Sequence, residues 1–379
     1  MSYLNFEKSE LINLEYALGR EMLRSNRAGS YASSTIIFCN TRKYHGLLVC
    51  PMEHLDGDKH VLLSTLDCTI IQGGSEFNLG MHKYQGDLYA PKGHKYIQDF
   101  QVGRVMQLFY RVGGVRLLRE SVLIEKEQQI IIRYTVLEAD KATKLRFTPF
   151  LAFRNVHQLS KANMHAQTRV KFIPNGIKSR LYDGYPYLHI QFSKEAEFVP
   201  TPDWYFDIEY LEEQHRGYDY KEDLFVPGYF EMPVRKGEAI YFSASTVETN
   251  PAMLKRKYTS EYNKRIVRIS FRECLINSAE QFILKKDKRT EITAGFHWYS
   301  TSARSTFQSL PGLTLSVDDR KTFKAVCDTM VSKMNNGLFP DMYPDDNLRY
   351  ISVDASLWFI WALQRYCIQT GDCSFIWKS

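Results

Sequence analysis

The chain has 379 residues, enough for two or three domains with a sizeable core, and its 44% apolar and 14% aromatic content excludes a disordered polymer. The net charge of +6 is spread through mixed signs, and basic clusters at 255–257 and 285–289 are too short for the dense stripe of a nucleic-acid surface. Seven cysteines without a C-x-x-C pair, no leader-like start and no run of about 18 apolar residues lead us to expect a reduced, cytoplasmic setting away from membranes.

Leu11, Leu14, Leu18 and Met22 recur at helical spacing, which predicts an amphipathic helix within 9–25, capped by Ser9. The period then changes to two. Met106, Leu108, Tyr110 and Val112 alternate, Gly113 and Gly114 supply a two-residue turn, and 115–124 runs back, predicting a β-hairpin. Further strands are expected at 129–138, 144–151, 187–192, 204–210 and 239–246; many strands without intervening helices imply an antiparallel sandwich over 1–250. Helix-forming residues return over 253–269 and 278–285, so 251–290 reads as a helical linker. Asp318 or Asp319 can cap a helix that passes through Phe323, Val326, Met330 and Met334 and stops at Gly337. Ser352 can cap another, over 353–366, that is apolar all round from Leu357 to Leu363.

The common hydrolase, zinc-protease and nucleotide motifs are absent from the sequence, and neither a metal nor another cofactor is expected. Asp341, Asp345 and Asp346 match no calcium loop and read as a solvated acidic turn. His45 reads as a turn or interdomain hydrogen-bonding residue rather than a base. Trp298, Trp358, Trp361 and Trp377 crowd the last 89 residues, and aromatic rings suit the C–H faces of sugars. Asp354 in a first helical turn is a candidate proton donor, although the helix dipole alone favours a carboxylate there.

Longer motifs carry a resemblance. The stretches beginning Ile12-Asn-Leu-Glu-Tyr, Cys39-Asn-Thr-Arg-Lys-Tyr-His-Gly, Phe150-Leu-Ala-Phe-Arg-Asn-Val-His and Arg216-Gly-Tyr-Asp-Tyr are similar to the amino-terminal domain of bacterial and archaeal-type glycogen debranching enzymes. Ala294-Gly-Phe-His-Trp-Tyr through Leu315, and Tyr350-Ile-Ser-Val-Asp-Ala-Ser-Leu-Trp-Phe, resemble their catalytic segments.

The resemblance implies a β-sandwich joined to an (α/α)₆ barrel that hydrolyses α-1,6-linked glucose at glycogen branch points with inversion. Residues 291–379 would be the first helices of that barrel, incomplete here, with the general base lacking a counterpart. Asp354 would be the general acid, while Trp298, Arg304, Ser305, Tyr350 and Trp358 would bind substrate. In the family an aspartate usually occupies the place of Ser305, so a carboxylate that holds the terminal glucose is missing. The expected partner is α-glucan, with association through exposed carboxy-terminal helices, and the chain as given is expected to hydrolyse little. The alternative is a non-catalytic α-glucan-binding module or an inactive fragment.

Overall fold

The structure, a computed structural model, describes residues 2–286, 288–342 and 348–376. Two antiparallel sheets face each other, one of nine strands and one of ten. The nine-stranded sheet runs from Leu4–Glu7 through Ile97–Val102, Met106–Val112, Val115–Leu123 and Gln129–Ala139 to Ala239–Ser245 and on to Lys171–Ile173. At its hairpin, Gly113 and Gly114 take φ of 58° and 80°, both left-handed, as this two-residue turn requires.

The ten-stranded sheet is centred on Lys59–Gln72 and Thr143–Asn155, which pair along most of their length. Between the sheets, aromatic rings from alternate strands interlock: Tyr134 against Phe147 at 4.9 Å, Phe147 against Phe192 at 5.1 Å, Phe192 against Phe230 at 5.0 Å. Each fully buried ring contributes about 1.5–3 kcal/mol of transfer free energy. Lys59–Gln72 is buried almost throughout because both its faces are covered. Leu62 points into the main core and Val61 into a second apolar cluster on the outer face, under Phe296 and Trp298.

The sequence-predicted helix at 9–25 is instead two single turns, Lys8–Leu11 and Leu14–Leu18, followed by strand Glu21–Ser25. Asn13 caps the second turn by accepting from the Tyr16 N–H at 3.2 Å. Met22 sits on the strand because pairing with Tyr31–Thr35 outweighs a weak local helical preference. Helix Leu254–Lys264 ends short of 269: Arg265 turns extended, its guanidinium held by the Leu123 carbonyl at 3.0 Å and by Glu261. The next helix starts earlier than expected, spans Phe271–Phe282, and gives way to a hairpin of Ile283–Lys286 with Arg289–Ile292. This run is bound to the sandwich: Arg24 donates to Asn277 at 2.7 Å, the Ser25 N–H to Gln281 at 2.6 Å.

Three further helices follow, Ala303–Thr314, Arg320–Val331 and Ala355–Thr370. Asp319 caps the second, as expected, but that helix stops at Val331 rather than at Gly337. The first and third run parallel, since Arg304 meets Asp354 near their starts and Gln369 donates to the Leu315 carbonyl beyond the end of the first. The middle helix opposes them, with Phe323 near its start stacked on Tyr366 near the end of the third, centroids 4.9 Å apart. Alternating directions of this kind are how an α/α array begins. Ala355, Ala362 and Tyr366 face the packed side of the last helix, while Leu357, Ile360 and Ile368 are more than 60% exposed.

Candidate active site

Two parallel helices place their amino-terminal ends side by side, and each end carries one member of an ion pair. Arg304, in the first turn of Ala303–Thr314, lies with Nε 3.1 Å from Asp354 Oδ2 at the start of Ala355–Thr370. Phe307 and Phe359, one turn further in, pack with centroids 5.0 Å apart and fix this register. Asp354 occupies the cap position but makes no capping bond with its side chain. Its carboxylate instead accepts from the Trp358 indole N–H, four residues on, at 3.3 Å, and both positive helix ends favour a negative charge here.

The pair is half open to solvent, Arg304 56% and Asp354 42% exposed by side chain, so it contributes only about 0–1 kcal/mol to stability. Its arrangement leaves both groups accessible to a ligand. Ser305 follows Arg304 on the same helix; its carbonyl accepts from the Ser309 hydroxyl at 2.7 Å. Tyr350 donates its phenol proton to the Lys333 carbonyl at 2.9 Å, which ties the segment before Asp354 to the end of the middle helix.

Asp341 underlies the pair. It is largely buried, accepts from the Ala303 N–H at 3.0 Å and from the Ser352 hydroxyl at 3.4 Å, and so braces both helix starts. The expectation of a solvated acidic turn is therefore corrected for Asp341, whose partner 38 residues away supplies no local sequence signal. Asp345, Asp346 and Trp377 lie outside the described residues.

Trp298 packs against the sandwich. Its ring meets Tyr44 at 5.8 Å, and the Arg42 and Arg216 guanidiniums lie 5.5 and 5.7 Å from it. Two of the sandwich motifs, those around Tyr44 and Arg216, thus converge on the segment that precedes the helices. A third motif is structural and buried, for Arg154 pairs with Glu222, which also accepts from Tyr210 and from the Ser160 N–H.

Between Trp298 and the sandwich, Glu21, His45 and His297 bring one ligand atom each within 4.8 Å of one another. Hydrogen-bond directions test whether a metal fits. The Thr41 N–H donates to His45 Nδ1 at 3.2 Å, so the His45 proton is on Nε2, the nitrogen that would have to bind the ion. Ser33 gives its hydroxyl proton to the Met22 carbonyl and therefore accepts from His297 Nε2 at 2.8 Å. The donor set does not fit a metal. The His297–Ser33 bond ties the 294–301 segment to the sandwich, while His45 makes its own bond within the 41–45 turn, in keeping with the turn role read for it. Burial holds the His297 imidazole far below its ordinary range, to about 3, with His45, Arg42 and Lys59 adding to the effect, while Glu21 opposes it. His45 is lowered as well, again chiefly by burial.

An antiparallel β-sandwich that leads into alternating helices, with a carboxylate at a helix start, defines a two-part architecture. The pattern described as glycogen debranching enzyme N terminal matches residues 20–241, and that of amylo-α-1,6-glucosidase matches residues 277–379. The chain belongs to the glycogen debranching enzyme family. Among solved structures it is similar to a bacterial glucoamylase complexed with acarbose, at 9% identity and a TM-score of 0.45, covering 97% of this chain and 56% of that one. It is also similar to a polysaccharide lyase (9% identity, TM-score 0.25, 94% and 66% covered) and to a GH92 inverting mannosidase from Bacteroides thetaiotaomicron (9%, 0.33, 86% and 46%). The chain thus spans between about half and two thirds of the length of these structures. No curated protein matches it. Among the described residues, no helix is long and apolar enough to cross a membrane.

Proposed function

We propose that the paired helix starts form a pocket for a terminal glucose of a branched α-glucan, with Asp354 as the proton donor to the α-1,6 glycosidic oxygen. The observation that carries this reading is the convergence of Arg304, Asp354 and the Trp358 indole on one accessible carboxylate oxygen. Arg304 offers several N–H donors to sugar hydroxyls, and Trp358 an apolar face beside them. Ser305 contributes a hydroxyl where a carboxylate would grip more strongly, and Tyr350 anchors the rim. In hydrolysis with inversion, the acid's proton goes to the leaving oxygen while a second carboxylate takes one from the attacking water.

The ion pair also favours the second reading, binding without turnover. Asp354 Oδ2 is engaged by Arg304, and an oxygen so engaged cannot at that moment carry a proton to a glycosidic bond. Sugar hydroxyls that draw Arg304 away would release it. The seven cysteines, free throughout, accord with a reducing compartment such as the cytoplasm.

Calorimetric titration with maltose, together with glucose release from branched limit dextrin, tests both readings. Arg304→Ala is expected to weaken maltose binding at least tenfold, since one charge-assisted bond contributes about 1.5–3 kcal/mol. Asp354→Asn is expected to leave binding within a few-fold and to abolish any glucose release. Equal affinity in the wild type and Arg304→Ala would sink the pocket assignment, and undiminished glucose release by Asp354→Asn would sink the role of the acid.

A further inference from the structure

We propose that the outer face of the ten-stranded sheet carries a second α-glucan site, a groove of about 610 Å³ walled by Tyr205 and Tyr229 and sharing no residue with the helix-start pocket. The inference rests on the α-glucan reading above and adds a place to it. Val226 forms part of the groove's apolar floor and also belongs to the cluster on which Phe296 and Trp298 pack. The groove therefore continues the sheet face against which the catalytic segment is docked.

The chemistry of the lining is that of a neutral polyol site. Tyr205 is held by Phe150, edge to face at 4.8 Å, and is 37% exposed, so it presents a fixed ring to a ligand. Thr69 is only 5% exposed, yet its hydroxyl makes no hydrogen bond with any described residue; the Thr148 hydroxyl on the paired strand is equally uncommitted. Asn78 uses its oxygen to accept from the Gly80 N–H at 2.7 Å, which leaves its NH₂ group in the groove without a partner among the described residues. Uncommitted hydroxyls and an amide below an aromatic wall suit a pyranose, whose C–H face packs on a ring while its edge hydroxyls exchange hydrogen bonds.

Charge excludes the main competitor, an anion. The guanidinium in the groove, Arg146, is already bound by Glu76 at 2.8 and 2.9 Å and by Glu231 at 2.7 Å, and lies over the Tyr229 ring at 4.6 Å. With Asp203 also on the rim, the lining holds no cation left over for a phosphate or carboxylate. Nor do its central strands offer a sheet edge to an added peptide, because the Arg146 and Thr148 backbones are paired within the sheet.

The test is affinity electrophoresis of the full chain in gels containing glycogen, with calorimetric titration by maltoheptaose, for the wild type, Tyr205→Ala, Thr148→Val and Arg304→Ala. Tyr205→Ala is expected to weaken binding about tenfold, the loss of one ring stack, and Thr148→Val about threefold, with maltose binding at the helix-start pocket unchanged in both. Undiminished retardation of both sandwich variants overturns the groove, and if Arg304→Ala alone then loses affinity, the helix-start reading stands. Retention that depends on Tyr205 and not on Arg304 supports the groove and removes the helix-start pocket. Should Tyr205→Ala unfold, Thr148→Val decides by itself, since it keeps the shape and removes only the hydroxyl. If the Tyr205 change instead abolishes self-association and leaves glycogen retardation intact, the groove is a contact between copies and the proposal is wrong.

Discussion

Two arginine–carboxylate pairs, one in each part of the molecule, show how the two parts differ. Arg154 and Glu222 are 4% and 0% exposed in the sandwich, and Glu222 has further partners in Tyr210 and Ser160. Arg304 and Asp354 are half exposed at the helix starts, with one further partner among the described residues, Trp358. A buried pair whose remaining valences are filled cannot change partners without leaving a charge stranded in the interior. An exposed pair with spare valences can exchange its partner for a ligand at little cost. The same chemical pairing is thus a rivet in one region and, in the function we propose, a binding element in the other, and burial separates the two.

The sharpest way to break this comparison is to remove the arginine on each side. Arg154→Ala is expected to destabilise the fold by about 3–5 kcal/mol, because Glu222 is left buried and uncompensated. Arg304→Ala should change stability by no more than about 1 kcal/mol. Urea unfolding of both variants checks the contrast, and equal losses would mean that burial does not separate the two pairs.

A second test concerns the junction between the regions. The His297 pKa of about 3 lies below its ordinary 6.5, so between these values the unfolded chain binds a proton that the folded chain does not. The stability this provides is complete above pH 6.5 and is lost as pH falls toward 3, at about 1.4 kcal/mol per unit, or about 2 kcal/mol by pH 5. His45, lowered for the same reason, acts in the same direction. His297→Gln should unfold more easily at pH 7 but show a shallower decline from pH 6.5 to 5. Parallel stability profiles in the two proteins would remove His297 as the source.

The smallest effect expected is at Ser305. Ser305→Asp places a carboxylate beside Arg304, where it competes with Asp354 for the guanidinium and adds an acceptor for sugar hydroxyls. Maltose affinity should rise by about 1–2 kcal/mol, as one or two hydrogen bonds are gained. A fall in affinity would show that Ser305 faces away from the sugar.

Much of the sandwich was legible because its signals are local. The hairpin from Met106 to Leu123 is announced by alternation and two adjacent glycines, and pairing follows from the turn. Asp354 and Trp358 are four residues apart, so a helix alone brings indole and carboxylate together. The 9–25 helix failed for the opposite reason: a helical period persisted in residues whose conformation is chosen by a neighbouring strand. Asp341, His297 and Glu222 gave no local sign of their roles, since each acts on a residue far away in the chain.

By itself, the sequence determined the family, the antiparallel sandwich before a helical part, and the two segments that bear Arg304 and Asp354. Only the tertiary structure decided that these helices run parallel with their starts adjacent, that Arg304 takes Asp354 as its partner, and that Trp298 packs on the sandwich face. Period and capping act over a few residues, whereas helix direction and ion pairing depend on packing such as Phe307 against Phe359, which contacts distant in the chain alone can set.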